Sequence, residues 1–180
     1  MIRVTGGKFR NRQVKTVKTQ AVRPTSSKVR ESIFNILQGR VVGSSMLDLF
    51  AGSGIMGIEA LSRGAEKVTF VEKNPKVYKL LKENLSNFDT EYKVFLTDAL
   101  SALAKLKGAK FDIIFADPPY KLDIIPYVLQ KIKNNDLLAQ EGVLVLEHSP
   151  DCQFDSTGFE VVKTKVYGDT ALTLLKLQGV

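Results

Sequence analysis

The stretch Met46-Leu47-Asp48-Leu49-Phe50-Ala51-Gly52-Ser53-Gly54-Ile55-Met56-Gly57 constrains this chain more than any other. A short apolar run carrying one acid, Asp48, meets three glycines and then an apolar-periodic segment. That order reads as a strand, a tight glycine turn and a helix start. Such a turn presents backbone N–H groups and the positive end of a helix to a ligand.

The same alternation continues along the chain. Strands are predicted at about 45–50, 67–72, 92–96, 111–116 and 142–147. Helices are predicted at about 54–63, 74–87, 98–107 and 123–134, with Pro75 in the first turn of the second and Asp98 capping the third. Ahead of them, Thr25 or Ser26 caps a helix running to about Gln38, its apolar stripe being Val29, Ile33, Ile36 and Leu37. Two last strands, 159–167 and 170–177, are joined by a turn too short for a helix, so they form an antiparallel hairpin. The strands are near-continuous apolar runs, as strands buried on both faces are. The fold class is therefore α/β, a doubly wound, mostly parallel sheet closed by a hairpin.

Charge separates the N-terminus from the rest. Residues 1–40 hold ten Lys or Arg and one acid, Glu31, whereas the remaining residues hold sixteen basic and eighteen acidic side chains. A basic segment of this kind suits a phosphate backbone. Residues 1–22 read as a small β-hairpin or arm, with Val4-Thr5 and Gln13–Val17 alternating and Gly6-Gly7 as the turn. The arm has too few apolar residues for its own core and must lean on the body, residues 23–180, or on a substrate. The single cysteine, Cys152, excludes an internal disulfide and a Cys-rich zinc cluster. With no signal-peptide h-region and no long apolar run, the expectation is a cytoplasmic protein with no membrane contact.

Acids end four successive strands: Asp48, Glu72, Asp98 just beyond the third, and Asp117. Ligands of open parallel sheets bind at such carboxyl ends. Gly52, Gly54 and Gly57 satisfy the dinucleotide pattern G-x-G-x-x-G, and Glu72 lies 18 residues after Gly54, near the spacing of a ribose-binding acid. Taken alone, the glycines suit a nicotinamide dinucleotide as well as S-adenosylmethionine. Asp48 would repel a pyrophosphate and welcome an ammonium group, which favours S-adenosylmethionine. The expected cofactor set is Asp48, Phe50, Ala51, Gly52, Ser53, Gly54, Glu72, Lys73, Asp98 and Ala99. In it Glu72 accepts from the ribose hydroxyls, Asp98 accepts from the adenine amine, and the Ala99 N–H faces the ring.

Asp117-Pro118-Pro119-Tyr120 names a chemistry. Two prolines stiffen the loop and remove two N–H donors. An exocyclic amine of a base is a poor nucleophile because its lone pair is delocalised into the ring. The Asp117 carboxylate and the Pro118 carbonyl can each accept one N–H of that amine and favour its pyramidal form in the transition state. Tyr120 can stack on the base. Methyl transfer then needs proximity and orientation more than a strong base.

Several segments together closely resemble the RsmD family. They are Arg23-Pro24-Thr25, Val29-Arg30-Glu31, Leu47 to Gly54, Glu59-Ala60-Leu61-Ser62-Arg63-Gly64-Ala65, Phe111 to Tyr120, and Tyr167-Gly168-Asp169-Thr170. The resemblance spans nearly the whole chain. It implies the seven-stranded class I methyltransferase fold with one late strand antiparallel. It also implies methylation of the N2 amine of one guanine in 16S rRNA, presented in an assembled or partly assembled small ribosomal subunit. Asn11 stands where similar proteins often have Gly, and Met56 where Leu is usual. The expected substrate contacts are Arg10, Arg12, Arg23, Thr25 and Arg30, although Arg30 equally suits a solvated helix face. The protein is expected to act as a monomer.

The nearest alternative keeps the fold and changes the acceptor to adenine N6 of RNA or DNA. His148 and Cys152 are given no chemical role, and Phe34 and Phe88 are expected in the core. Phe9 either stacks on RNA or packs the arm down.

Overall fold

The computed structural model describes residues 1–18, 25–121 and 123–179. Its body is a seven-stranded sheet of β3 (Ser45–Asp48), β4 (Lys67–Glu72), β5 (Glu91–Leu96), β6 (Phe111–Ala116), β7 (Leu138–His148), β8 (Phe159–Tyr167) and β9 (Thr170–Leu177). Their spatial order is β5-β4-β3-β6-β7-β9-β8. Pairings among β3 to β7 are parallel, and β9 runs antiparallel to both β7 and β8. The chain moves outward from β3 to β5 and then returns to the other side of β3 with β6. The carboxyl edge of β3 and β6 is thus the switch point where a crevice opens.

Alternation along each strand divides the core. Met46, Ile113, Phe115, Val143 and Val145 face one layer, formed by α1 (Ser27–Ile36), α2 (Ile55–Ser62) and α3 (Pro75–Leu85). Leu47, Ile114, Leu144 and Leu146 face the other, formed by α4 (Ala99–Lys105) and α5 (Ile125–Asn134). Helix starts follow local chemistry. Ser26 Oγ accepts the Val29 N–H at 3.2 Å, and Asn74 Oδ1 accepts the Lys76 N–H at 2.9 Å with Pro75 in the first turn. Among the described residues, no helix is long and apolar enough to cross a membrane.

Two boundaries differ from expectation. β7 begins at Leu138 rather than 142, because Leu138 pairs with Phe111 before the register shifts ahead of Ile113. Gly142 lies at that irregularity, where a Cβ would meet Ala139 O at 2.9 Å. The arm strands are β1 (Ile2–Arg3) and β2 (Gln13–Val14), shorter than the sequence alternation suggests. Gly6 and Gly7 do not form a tight hairpin turn. They press against α2, and a Cβ on Gly7 would fall 1.9 Å from Ser62 O. Asn11 takes the positive φ of 70° that the reversal requires, which an Asn tolerates.

The arm leans on the body. Val4 and Val14 are buried within the α1–α3 layer of the core. Asn84, on α3, ties the arm to the glycine turn: Nδ2 donates to Lys15 O and to Ser53 O, each at 2.9 Å, while Oδ1 accepts the Lys15 N–H at 3.0 Å.

Candidate active site

The three glycines do separate jobs. Gly52 (φ 55°) has nothing within 4 Å of where a Cβ would stand, so its backbone faces open space beyond β3. Gly54 (φ 88°) and Gly57 permit close packing of α2: a Cβ would fall 2.4 Å from Leu81 Cδ1 at the first and 2.2 Å from the Phe70 ring at the second. Backbone bonds also hold the turn. The Ala51 N–H donates to Val71 O at 2.9 Å and the Gly54 N–H to Ala51 O at 2.9 Å. Phe50 is half-buried against the α4–α5 layer.

Glu72 reaches across to this turn. Its Oε2 accepts the Gly52 N–H at 3.1 Å and its Oε1 accepts the Asn74 N–H at 3.2 Å. Lys73, next in sequence, is exposed. Asp98 is exposed and caps α4, accepting the Ser101 N–H and hydroxyl at 2.9 and 2.7 Å; those bonds hold its carboxyl below the ordinary value. Ala99, behind it, is buried.

Three carboxylates gather on one face of the carboxyl edge. Asp48 pairs in register with Phe115, two residues before Asp117, and the next position after the Ala116–Leu146 pair sets Asp117 beside Glu147. Side chains two apart along a strand share a face, so all three point into the α1 layer. Asp48 is buried, with Oδ2 accepting the Gly57 N–H at 3.2 Å and Oδ1 without a donor among the described residues. Burial raises its pKa to about 7, against the pull of the Gly57 amide and with help from Glu72. Asp117 is raised well above the ordinary carboxylate range by desolvation, then by Glu147 and Asp48. Glu147 is raised to about 7 by burial, opposed by the Thr25 hydroxyl, which donates to Oε2 at 3.2 Å.

Pro118 is buried, while Pro119 and Tyr120 are exposed. The Tyr120 hydroxyl lies 3.4 Å from Thr170 Oγ1, so the β8–β9 turn holds the Asp-Pro-Pro-Tyr loop from one side. The same turn meets α1 through the Tyr167–Ser32 hydroxyl pair.

The expected substrate residues divide. Arg10 is exposed on the arm. Arg12 is exposed but lies on the Phe88 ring, 4.4 Å from its centroid, and donates to Asn87 O. Phe9 packs the arm down, its ring 4.9 Å from that of the buried Phe88. Arg23 lies outside the described residues. Arg30 is not a substrate contact. It is 1% exposed, and its Nε donates to Glu59 Oε1 at 3.1 Å, Nη1 to Thr25 O at 3.0 Å and Nη2 to Arg3 O at 2.7 Å, so its guanidinium is committed within the fold. His148 is buried, with Nε2 2.7 Å from Thr173 Oγ1 and Nδ1 2.8 Å from Ser149 O, a structural role.

Sequence reasoning passed over two acids. Glu147 ends its strand as Asp48, Glu72 and Asp117 end theirs, and that repetition was the available signal. Glu59 lies inside an apolar helix; Arg63 at i+4 is the one partner the local sequence marks, while Arg30, Thr5 and Gly6 are distant in sequence.

Comparison with known proteins gives the family. The family model described as Conserved hypothetical protein 95 matches residues 2–176. The YlbH protein of Bacillus subtilis is 38% identical over 184 residues, covering 99% of this chain and 100% of the relative. Ribosomal RNA small subunit methyltransferase D of Escherichia coli is 36% identical over 181 residues, covering 99% and 91%. The solved structure of yhhF from Escherichia coli superposes with a TM-score of 0.88 at 32% identity, covering 99% of each chain. The chain belongs to the RsmD family, and its seven-stranded, mostly parallel sheet is that of the class I methyltransferase fold.

Proposed function

We propose that this protein transfers a methyl group from S-adenosylmethionine to the N2 amine of one guanine in 16S rRNA, acting as a cytoplasmic monomer on an assembled or partly assembled small subunit. The observation that carries the reading is the placement of Asp117, on the Asp-Pro-Pro-Tyr loop, beside Asp48 and the open glycine turn.

The residues fit the proposed cofactor. Asp48 Oδ1 is a buried acceptor in need of a donor, which an ammonium group satisfies. The open Gly52 backbone leaves room for the methionine portion, and Glu72 and Asp98 retain acceptor capacity for hydroxyl and amine groups. When bound, S-adenosylmethionine supplies an electrophilic methyl on a sulfonium.

The acceptor side is formed by the chain itself. Asp117 and the Pro118 carbonyl take the two N–H groups of the amine, and exposed Tyr120 stacks on the base. Arg10, with Lys8 and Arg12 around it, meets RNA phosphates from the arm. The names of the curated relatives, among them ribosomal RNA small subunit methyltransferase D, support the substrate class.

Replacing Asp117 with Ala is expected to lower kcat by about 10²–10³, the scale of losing one preorganised transition-state contact. Binding of S-adenosylhomocysteine by thermal shift should be largely kept. Full activity in the variant overturns the mechanism, and recovery of N6-methyladenosine instead of N2-methylguanosine from treated subunits overturns the acceptor.

A further inference from the structure

We propose that Glu147 selects the base: its carboxylate accepts the N1–H of guanine while Asp117 accepts from the neighbouring N2 amine. This rests on the guanine reading above and names the residue that enforces it.

The placement comes from the sheet. Glu147 follows Leu146 as Asp117 follows Ala116, and those two residues are partners across β6 and β7. The side chains therefore leave adjacent strands on one face, about 4.8 Å apart at the backbone. Thr25, just ahead of α1, donates to Glu147 Oε2 and so holds the carboxylate in one orientation. Glu147 is 6% exposed, and among the described residues no Lys or Arg pairs with it. Arg30, whose Nη1 donates to Thr25 O, pairs with Glu59.

Two carboxylates side by side in a desolvated edge repel each other, and the Thr25 hydroxyl alone does not satisfy them. The Watson–Crick edge of guanine supplies what they lack, a ring N–H directly beside an amine. Adenine and cytosine also carry an exocyclic amine, but the neighbouring ring nitrogen is an acceptor. Toward the ionised Glu147 carboxylate, either base would turn a lone pair and leave a buried charge unpaired. A second acceptor beside an amine-binding acid thus favours guanine, and it does so without touching the transferred methyl.

The test uses small subunits reconstituted with 16S rRNA in which the methylated guanine is replaced by 2-aminopurine, introduced by splint ligation. This base keeps the 2-amine and loses the N1–H. The wild-type protein is expected to prefer guanine by about 10²-fold or more in kcat/KM, since a site made to bond a donor rejects an analogue without it. In Glu147→Gln the side-chain amide can donate to N1 of 2-aminopurine, and the preference should fall below about tenfold. A wild type that treats both bases alike, or a preference unchanged in Glu147→Gln, overturns the proposal.

Should Glu147→Gln be inactive on both substrates, Thr25 decides. Thr25→Val is expected to lower the preference severalfold and Thr25→Ser to keep it, with S-adenosylhomocysteine thermal shifts reporting that both are folded. An unmoved preference in Thr25→Val then counts against Glu147. Absence of N2-methylguanosine from wild-type reactions on guanine-bearing subunits removes the earlier reading, and this one with it.

Discussion

Glu59 has no solvent exposure, yet it accepts five hydrogen bonds: from the Thr5 N–H and hydroxyl, the Gly6 N–H, Arg30 Nε and Arg63 Nε. A carboxylate buried so deeply is tolerable because each lone pair meets a donor and two guanidinium groups balance its charge. Glu59→Gln leaves the buried Arg30 without its counter-ion and is expected to destabilise the fold by about 3–5 kcal/mol in urea unfolding. A loss below about 1 kcal/mol would show that the Arg30–Glu59 pair is not structurally important. The same pair explains a misreading. Arg30 lies three residues from Ile33 on α1, and one turn of sequence cannot show that its partner sits 29 residues away. Asp48, Glu72 and Asp117 were legible because their strands are legible and an acid after an apolar run has few other uses.

At the scale of elements, local chemistry carried most of the information. Asn74-Pro75 and Asp98 marked helix starts that the structure confirms, and the final hairpin falls at 159–167 and 170–177 as read. The arm was legible in charge and not in packing, because its docking depends on α2 and α3, which no arm residue encodes. Its two central arginines now separate. Arg10→Glu is expected to weaken RNA binding and to reduce the slope of log K against log salt by about one, with Tm unchanged. Arg12→Glu should do the same and also lower Tm, since it loses its place on the Phe88 ring and the bond to Asn87 O. Equal Tm values for the two variants would contradict this division.

The whole molecule carries a pH signature from its carboxyl edge. Asp48 and Glu147 are each raised to about 7 from ordinary values of 3.8 and 4.5, and Asp117 moves the same way. Between about pH 4 and 7 the folded protein therefore holds more protons than the unfolded chain, and stability falls as pH rises through that window. The contribution is complete below about pH 4 and lost above about 7. Asp98 and Asp155 are lowered, so their contribution is lost only as pH falls below the ordinary carboxylate value. Tm of the ligand-free protein is expected to decline from about pH 5 to about pH 8. In the proposed binding mode the ammonium of S-adenosylhomocysteine faces the carboxylate cluster, so this ligand should raise Tm more at the upper pH. A Tm that rises across this range would mean the acids are not desolvated together.

Asn84 has a consequence of a different kind. One amide spans the arm at Lys15 and the glycine turn at Ser53, so the two segments share a single fastening. Whatever free energy a bound methyl donor passes through that fastening to an RNA on the arm, the RNA returns in equal measure to the donor. The order in which the two arrive then changes the route of assembly and leaves the final ternary state the same.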